Sequence, residues 1–127
     1  MRYIELVTAP YSLEDMTTFE FVENFNGWNI NQSKAYKSGF KKYRNVRDIM
    51  KNHDRLLDFI KSYDPNNPPS MKDYPSEFYV HMLHHHESKP FWAHLWGTRF
   101  GLVWKVVPGN INLMCLGTHN DCGVGNF

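Results

Sequence analysis

The sequence FGLVWKVVPGNINLMCLGTHND, residues 100–121, predicts the centre of the fold. Two runs rich in aliphatic, β-branched and aromatic residues flank Pro108-Gly109-Asn110, and Pro, Gly and Asn are residues that favour a tight turn. The pattern therefore predicts a β-hairpin. Gly117-Thr-His-Asn-Asp closes the second strand. We expect the rest of the sheet to form around this hairpin, with His119 just beyond its end.

Histidines are concentrated near this hairpin. Six of the seven fall between residues 79 and 122, namely His81, His84, His85, His86, His94 and His119, whereas His53 lies outside. Imidazole exchanges protons near neutral pH and is also the commonest metal ligand. The cluster predicts either a metal site or a cleft that performs acid–base chemistry.

Further strands are predicted on the N-terminal side of the hairpin. Alternating apolar and polar residues over 18–24 and 28–33 flank Asn26-Gly27, the strongest short signal for a hairpin turn. Residues 91–96, with the sequence FWAHLW, have the composition of another strand.

The N-terminal segment carries weaker signals. Loose alternation over Tyr3–Val7 favours a short strand that Pro10 ends. Ser12, followed three residues later by Asp15, predicts an N-capped turn of helix.

Two helices are predicted between the hairpins. Apolar residues recur at spacings of three and four over residues 43–60, which is typical of an amphipathic helix. Asn45 is a favourable N-cap, so we expect helices over 38–44 and 46–63. His53 falls within the apolar stripe and is expected to be a buried structural histidine.

Length and composition favour one folded domain. The chain has 127 residues, of which 42% are hydrophobic and 21% charged, enough for a single core. Residues 64–70 contain three prolines and predict a stiff connection within that domain. We therefore expect one domain over 1–127, with residues 1–27 as an N-terminal extension.

Charge is distributed unevenly along the chain. The net charge is +1, which argues against a strongly basic nucleic-acid-binding protein. The first 27 residues are acidic, whereas the segment 34–51 is basic, with Lys34, Lys37, Lys41, Lys42, Arg44, Arg47 and Lys51. The basic side chains of this segment are either simply solvated or contact phosphate groups, and the sequence does not decide between these two possibilities.

The cysteines and apolar runs bear on the compartment. Cys115 and Cys122 are too few for a disulfide scaffold and lack the spacing of a zinc site, which favours a reducing cytosol. No apolar run approaches the roughly 20 residues needed to span a membrane. The N-terminus lacks the apolar core of a signal peptide. We expect a soluble, cytoplasmic protein without a membrane partner.

Metal binding is one interpretation of the histidines. On a helix, His81 and His85 would share a face at i, i+4. However, the chain contains no His-Glu-x-x-His motif and no cysteine pair at zinc spacing. A run such as His84-His-His also binds nickel or zinc without function. We therefore predict no functional metal and no other cofactor.

Acid–base cleavage of RNA is the other interpretation. It requires one group to remove the 2′-hydroxyl proton, a second to protonate the departing 5′-oxygen, and a cation to stabilise the phosphoryl oxygens. His94 and Arg99 border neighbouring predicted strands, and His119 follows the last strand, so one sheet edge could hold all three. Three aromatic residues could stack on a base: Trp92, Trp96 and Phe100. The cysteines and serines show no nucleophile motif.

Several motifs are similar to those of the RelE/ParE superfamily of toxins from toxin–antitoxin systems. Ser33-Lys-Ala-Tyr-Lys-Ser-Gly-Phe-Lys-Lys resembles the entry into the basic first helix of that family, and Phe78-Tyr-Val-His-Met-Leu resembles a later family segment. The most specific match is Leu116-Gly-Thr-His-Asn-Asp, which looks like the closing Ile-Gly-Thr-His-Ser-Asp of the RelE/YafQ-type mRNA endonucleases. The resemblance covers residues 28–122.

The resemblance implies a fold and a function. It implies a small antiparallel sheet with two helices on one face. Residues 1–27 have no counterpart in that fold, and we expect them to add a further β-segment. The resemblance implies a metal-independent endoribonuclease that cuts mRNA, in the ribosomal A site, and is held by a cognate antitoxin. The catalytic residues would be His119, His94, His81 and Arg99. The RNA-contacting residues would be Lys37, Lys41, Lys42, Arg44, Arg47, Lys51, Trp96 and Phe100. The alternative is a protein-binding module of the same fold, such as a gyrase-type toxin without ribonuclease activity.

Overall fold

The computed structural model describes residues 11–124. In chain order the elements are α1 (Leu13–Thr17), β1 (Phe19–Phe25), β2 (Trp28–Ser33), α2 (Lys34–Tyr43), α3 (Arg47–Lys61), 3₁₀ turns at Met71–Asp73 and Ser76–Phe78, β3 (His81–Met82), β4 (Phe91–Trp96), β5 (Phe100–Val107) and β6 (Asn110–Thr118). The protein is α+β, as predicted. The strand predicted over Tyr3–Val7 lies outside the described residues.

The six strands form one mixed sheet in the order β1-β2-β6-β5-β4-β3. The prediction of a wholly antiparallel sheet is wrong for one pair, because β2 and β6 run parallel, with Ile30 opposite Ile111. Hairpin turns make consecutive strands antiparallel, but no local pattern reports the relative direction of two strands separated by helices. Strand β6, which leads into the His119 motif, therefore lies in the interior of the sheet.

Both predicted hairpins are confirmed. Asn26 and Gly27 join β1 to β2 with positive φ angles of 48° and 93°, the conformation for which Asn-Gly is suited. Pro108 and Gly109 join β5 to β6, and Gly109 has a φ of 82°. The strand predicted over Phe91–Trp96 is β4.

Helix α2 begins four residues earlier than predicted, because Ser33 has two roles. Its hydroxyl accepts the N–H of Tyr36 at 3.1 Å and donates to the carbonyl of Met114 at 2.6 Å. The same residue therefore ends β2, anchors it to β6 and caps α2. Because alternation in residues 28–33 predicts a strand up to Ser33, the sequence does not show that Ser33 also begins a helix.

The other helices need smaller adjustments. Asn45 is not the N-cap of α3; Val46 takes that position without a side-chain hydrogen bond, and α3 ends at Lys61. Ser12 and Asp15 form the predicted capping box of α1. Within residues 11–124 no helix is long and apolar enough to cross a membrane.

Apolar side chains cover both faces of the sheet. The larger, helix-side core includes Trp28, Tyr36, Leu56, Ile60, Phe78, Leu95 and Trp104. The smaller core includes Met16, Ala35, Leu83, Trp92, Val103, Cys115 and Cys122. The expectation was of two helices on one face of the sheet; α3 packs on one face, whereas α2 contributes to both cores. The candidate site lies on the face that carries the smaller core.

Candidate active site

Three predicted catalytic histidines lie together on this second face. In β4, Trp92 and His94 are two residues apart, so their side chains project to the same face. His81 of β3 pairs directly with Trp92, which puts its side chain on that face as well. His119 follows β6, and its ring packs against Trp92. The fold thus brings together histidines that are distant in sequence.

Trp92 is the centre of this group, which we call the histidine site (His81, Trp92, His94 and His119). Ring centroids are 5.0 Å apart for Trp92 and His119, 6.5 Å for Trp92 and His94, and 6.1 Å for His81 and His94. The indole is fully buried and lies over Gly101, where a Cβ would come within 2.9 Å of the ring. Trp92 therefore supports the histidines, and the prediction that it stacks on a base is wrong.

The environment favours neutral imidazoles. Burial, followed by the nearby His81 and His119, lowers the pKa of His94. Burial also lowers the pKa of His119, and the charges of Arg99 and His81 add to the effect. In His81, Nδ1 lies 2.8 Å from the carbonyl of Tyr79 and donates to it, which fixes the orientation of the ring. A neutral imidazole is the form that accepts a hydroxyl proton.

The Gly117-Thr-His-Asn-Asp motif folds as a self-capped turn. The Asp121 carboxylate accepts the N–H of Thr118 at 3.1 Å, and the Thr118 hydroxyl accepts the N–H of Asp121 at 3.1 Å. A Cβ at position 117 would lie 2.8 Å from the Asp121 carboxylate, so only glycine at this position avoids a clash with the Asp121 side chain. The N–H of His119 donates to the carbonyl of Arg99 at 2.8 Å. The motif therefore presents His119 from a fixed backbone.

A disulfide between Cys115 and Cys122 closes the same turn. The Cα atoms are 5.7 Å apart, both side chains are fully buried, and His119 lies within the enclosed loop. Disulfides are typical of oxidising compartments, so the cysteine count no longer supports a reducing one. The pairing was not predictable from spacing, because only the turn after β6 brings Cys122 back to Cys115.

A cleft of about 410 Å³ opens beside the histidine site, where the end of β4 meets α3. His94 lines it together with Tyr79 and Trp96. The exposure of Trp96 is compatible with the RNA contact predicted for it. Tyr79 was not among the predicted site residues, and its sequence signal is only that of an aromatic residue near His81.

Phe100, also predicted to contact RNA, lies in the helix-side core. Its side chain is 5% exposed, and its ring packs edge-on against Tyr43 with centroids 4.6 Å apart. Phe100 also lines a cavity of about 370 Å³ beside Arg99 and Thr118, so the RNA contact predicted for it stays a prediction.

The six basic residues predicted to contact RNA are all exposed: Lys37, Lys41, Lys42, Arg44, Arg47 and Lys51. Lys37 forms an ion pair with Glu20 at 3.2 Å. A hydrogen bond to Tyr43 is the main cause that raises the pKa of Lys42, and the carboxylate of Asp121 contributes. Lys42 therefore lies near the turn that carries His119.

The run His84-His-His lies in the loop between β3 and β4. His84 and His85 are exposed, and burial lowers the pKa of His86, with the neighbouring His85 adding to the effect. Across residues 11–124, no group of three or more His, Cys, Asp and Glu side chains is placed to hold a metal ion. We carry the acid–base interpretation forward, because its predicted residues are the ones that meet.

His53 is structural, as predicted. Its Nδ1 lies 2.9 Å from the carboxylate of Asp54 and donates to it, so Nε2 accepts from the Tyr36 hydroxyl at 2.7 Å. Burial lowers the pKa of His53 and raises that of Tyr36. Both groups are therefore neutral within the helix-side core.

No protein-family model, curated protein or solved structure matches this chain. The likeness to the RelE/ParE toxins therefore rests on the sequence motifs.

Proposed function

We propose that the protein is a toxin-type endoribonuclease of the RelE/YafQ kind, which cleaves mRNA by metal-independent acid–base catalysis. The observation that carries this proposal is the meeting of His81, His94 and His119, contributed by β3, β4 and the turn after β6. Cleavage of this kind needs two proton-exchanging groups and a cation. Arg99, whose charge acts on His119, provides the cation.

In the proposed reaction, the 2′-oxygen of the RNA attacks the adjacent phosphorus. The neutral imidazole of His94 or His119 accepts the 2′-hydroxyl proton, and the other, protonated, donates a proton to the departing 5′-oxygen. The P–O5′ bond breaks, leaving a 2′,3′-cyclic phosphate and a 5′-hydroxyl. Arg99 stabilises the phosphoryl oxygens. His81 faces His94 and orients it. Proton exchange with water restores both imidazoles.

The partners follow from the resemblance. The substrate is mRNA in the ribosomal A site, the exposed basic residues of α2 and α3 approach its phosphates, and a cognate antitoxin holds the protein inactive. This places the protein in the cytoplasm. There the complete burial of Cys115 and Cys122 shields the disulfide from attacking thiols.

The test is cleavage of a synthetic mRNA by purified protein, with and without ribosomes. We expect wild type to cut the message and His119→Ala to be slower by about 10²- to 10⁴-fold, the usual contribution of a general acid or base. His84→Ala, which alters an exposed histidine outside the histidine site, should cut like wild type. If wild type leaves the message intact under both conditions, the proposal fails.

One observation favours a second function, that of a protein-binding module such as a gyrase-type toxin. Phe21, Val22 and Phe25 are 62%, 47% and 42% exposed on the edge strand β1, and exposed apolar groups on a strand edge are available to a partner. Expression that damages DNA while cellular mRNA stays intact would support this function. If wild type degrades cellular mRNA and is toxic, whereas His119→Ala leaves the mRNA intact and is not toxic, the ribonuclease function is supported.

A further inference from the structure

The cleft beside the histidine site has features that proton transfer does not use. Its lining combines Tyr79 and Trp96 with the polar side chains of Asn52, Arg55 and Glu77. His94 belongs to both the cleft and the histidine site. A group bound in the cleft therefore lies directly beside the proposed chemistry.

Two walls of the cleft are exposed aromatic rings. Tyr79 is 67% exposed and Trp96 is 59% exposed, whereas the other tryptophans, Trp28, Trp92 and Trp104, are fully buried. Exposed apolar rings gain stability when a flat partner removes them from water. Nucleic-acid bases are such partners, because every base offers a π-face.

The backbone holds Tyr79 in a conformation that aims its ring at the cleft. Its φ of 48° lies in the left-handed region, which is unfavourable for a residue with a bulky side chain. Its N–H donates to the carbonyl of Ser76 at 3.1 Å, and its carbonyl accepts from Nδ1 of His81. Its ring lies 5.4 Å from that of His94. Strain of this kind persists where the surroundings hold it, commonly at binding sites.

The polar side chains of the cleft are also held in place. The amide of Asn52 donates to the carbonyl of Leu95 at 2.7 Å and accepts from Arg55 at 3.2 Å. Arg55 also pairs with Glu77, and both side chains remain about half exposed. The cleft thus offers hydrogen-bond donors and acceptors next to aromatic rings, a combination that suits a flat heterocycle with polar edges.

We propose that this cleft binds one nucleobase of a single-stranded RNA. The base stacks on Tyr79 and Trp96, and its edge contacts Arg55 and Glu77. The cleft then selects the base next to the phosphate that is cut. In this last respect the inference rests on the proposed function, because it takes the bound strand to be the substrate.

Trp96 provides a direct measurement, since its emission responds to a ligand while the three buried tryptophans are shielded. The probe is a 2′-fluoro oligoribonucleotide of about six nucleotides, which lacks the attacking 2′-hydroxyl and reports binding alone. We expect the probe to quench Trp96, and Tyr79→Ala to raise the Kd about tenfold through the loss of one stacking contact. Tyr79→Phe keeps the ring and should bind like wild type. Leu13→Ala removes an apolar side chain of comparable exposure, 60%, on α1 outside the cleft lining and should also bind like wild type.

Three outcomes would overturn the inference. They are equal quenching by an abasic strand of the same length, wild-type affinity in Tyr79→Ala, and weakening in Tyr79→Phe as large as in Tyr79→Ala. The proposed function is judged separately by mRNA cleavage. Protein that binds the probe through Tyr79 and leaves mRNA intact contradicts the function alone. Cleavage without any effect of Tyr79 on binding contradicts the nucleobase site alone.

Discussion

Arg99 acts on His119 through its charge, and this effect can be measured. Burial is the largest cause that lowers the pKa of His119, and the guanidinium lowers it further because it opposes a second positive charge. We predict that Arg99→Gln raises the pKa of His119. One limb of the pH profile of kcat/KM then moves to higher pH, as measured with an RNA oligonucleotide between about pH 5 and 8.

Lys72→Gln is the matched control for this profile, because Lys72 is exposed on the 3₁₀ turn Met71–Asp73. It should leave both limbs in place. A limb that stays fixed in Arg99→Gln, or moves to lower pH, would contradict the role given to Arg99.

The histidine site was partly predictable at the level of single residues. The predicted strands and the position of His119 after the last of them were enough to expect His94, Arg99 and His119 at one sheet edge. His81 was expected in the site only through the family resemblance. Trp92 was assigned wrongly and the burial of Phe100 was not foreseen, because alternation shows which residues share a face but not how deeply that face is covered. Tyr79 was missed because nothing in the sequence predicts that a tyrosine adopts a left-handed backbone conformation at this position.

The turn after β6 depends on the missing side chain at Gly117. A Cβ there would lie 2.8 Å from the Asp121 carboxylate. We predict that Gly117→Ala lowers the free energy of unfolding by about 1–3 kcal/mol, the usual cost of an overpacked position. Urea denaturation measures this effect. The change also displaces the backbone that carries His119, so the rate of RNA cleavage should fall as well.

Asp121→Ala supplies the comparison, because it removes the carboxylate oxygen 2.8 Å from the new methyl and leaves the Cβ at 3.0 Å. The double variant should therefore lose less stability than the sum of the losses in the two single variants, since the shortest contact is absent. Strict additivity would mean that Gly117 does not act through Asp121.

The disulfide should stabilise the same element. Its cysteines are 7 residues apart. A disulfide that closes a loop of this size stabilises the folded state by about 2 kcal/mol, because it restricts the conformations of the unfolded chain. We predict that replacing Cys115 and Cys122 together by serine lowers the free energy of unfolding by about this amount in urea denaturation. In the presence of a reductant, the free energy of unfolding of wild type should approach that of the serine variant. A variant as stable as oxidised wild type would show that the bridge does not form in solution.

Elements whose signals are local were predictable, and elements that depend on distant partners were not. Asn26-Gly27 and Pro108-Gly109 carry their own turn conformations, so both hairpins could be expected. The direction of β2 relative to β6 has no local signal. Ser33 looks like a strand residue until its hydrogen bond to Met114, which is distant in sequence, is known.

Stability of the whole molecule should depend on pH through its buried histidines. Burial lowers the pKa of His53 below its ordinary 6.5, so the unfolded chain binds its proton more readily than the folded chain. This stabilisation is therefore complete above about pH 6.5 and is lost as the pH falls towards the lowered pKa. We predict that the free energy of unfolding decreases as the pH falls below about 6.5. Urea denaturation at about pH 7 and about pH 5 tests it.

The contribution of His53 can be separated from those of the other histidines. The pKa values of His86, His94 and His119 are also lowered, so some pH dependence remains without His53. His53→Gln should be less stable at both pH values but should lose less stability between them, by up to 1.4 kcal/mol per pH unit. An unchanged slope would show that His53 does not bind the proton on unfolding.

The parallel pair of β2 and β6 has a consequence for synthesis of the chain. Among the strands of residues 11–124, β6 is the last in the chain, yet it lies between β2 and β5 in the finished sheet. Until β6 emerges from the ribosome, β2 and β5 each lack the strand that pairs with them. Pairings between residues as distant as Ile30 and Ile111 also form slowly. The nascent chain is therefore exposed to aggregation until β6 is made, and a polypeptide that stops before β6 cannot join the two parts of its sheet.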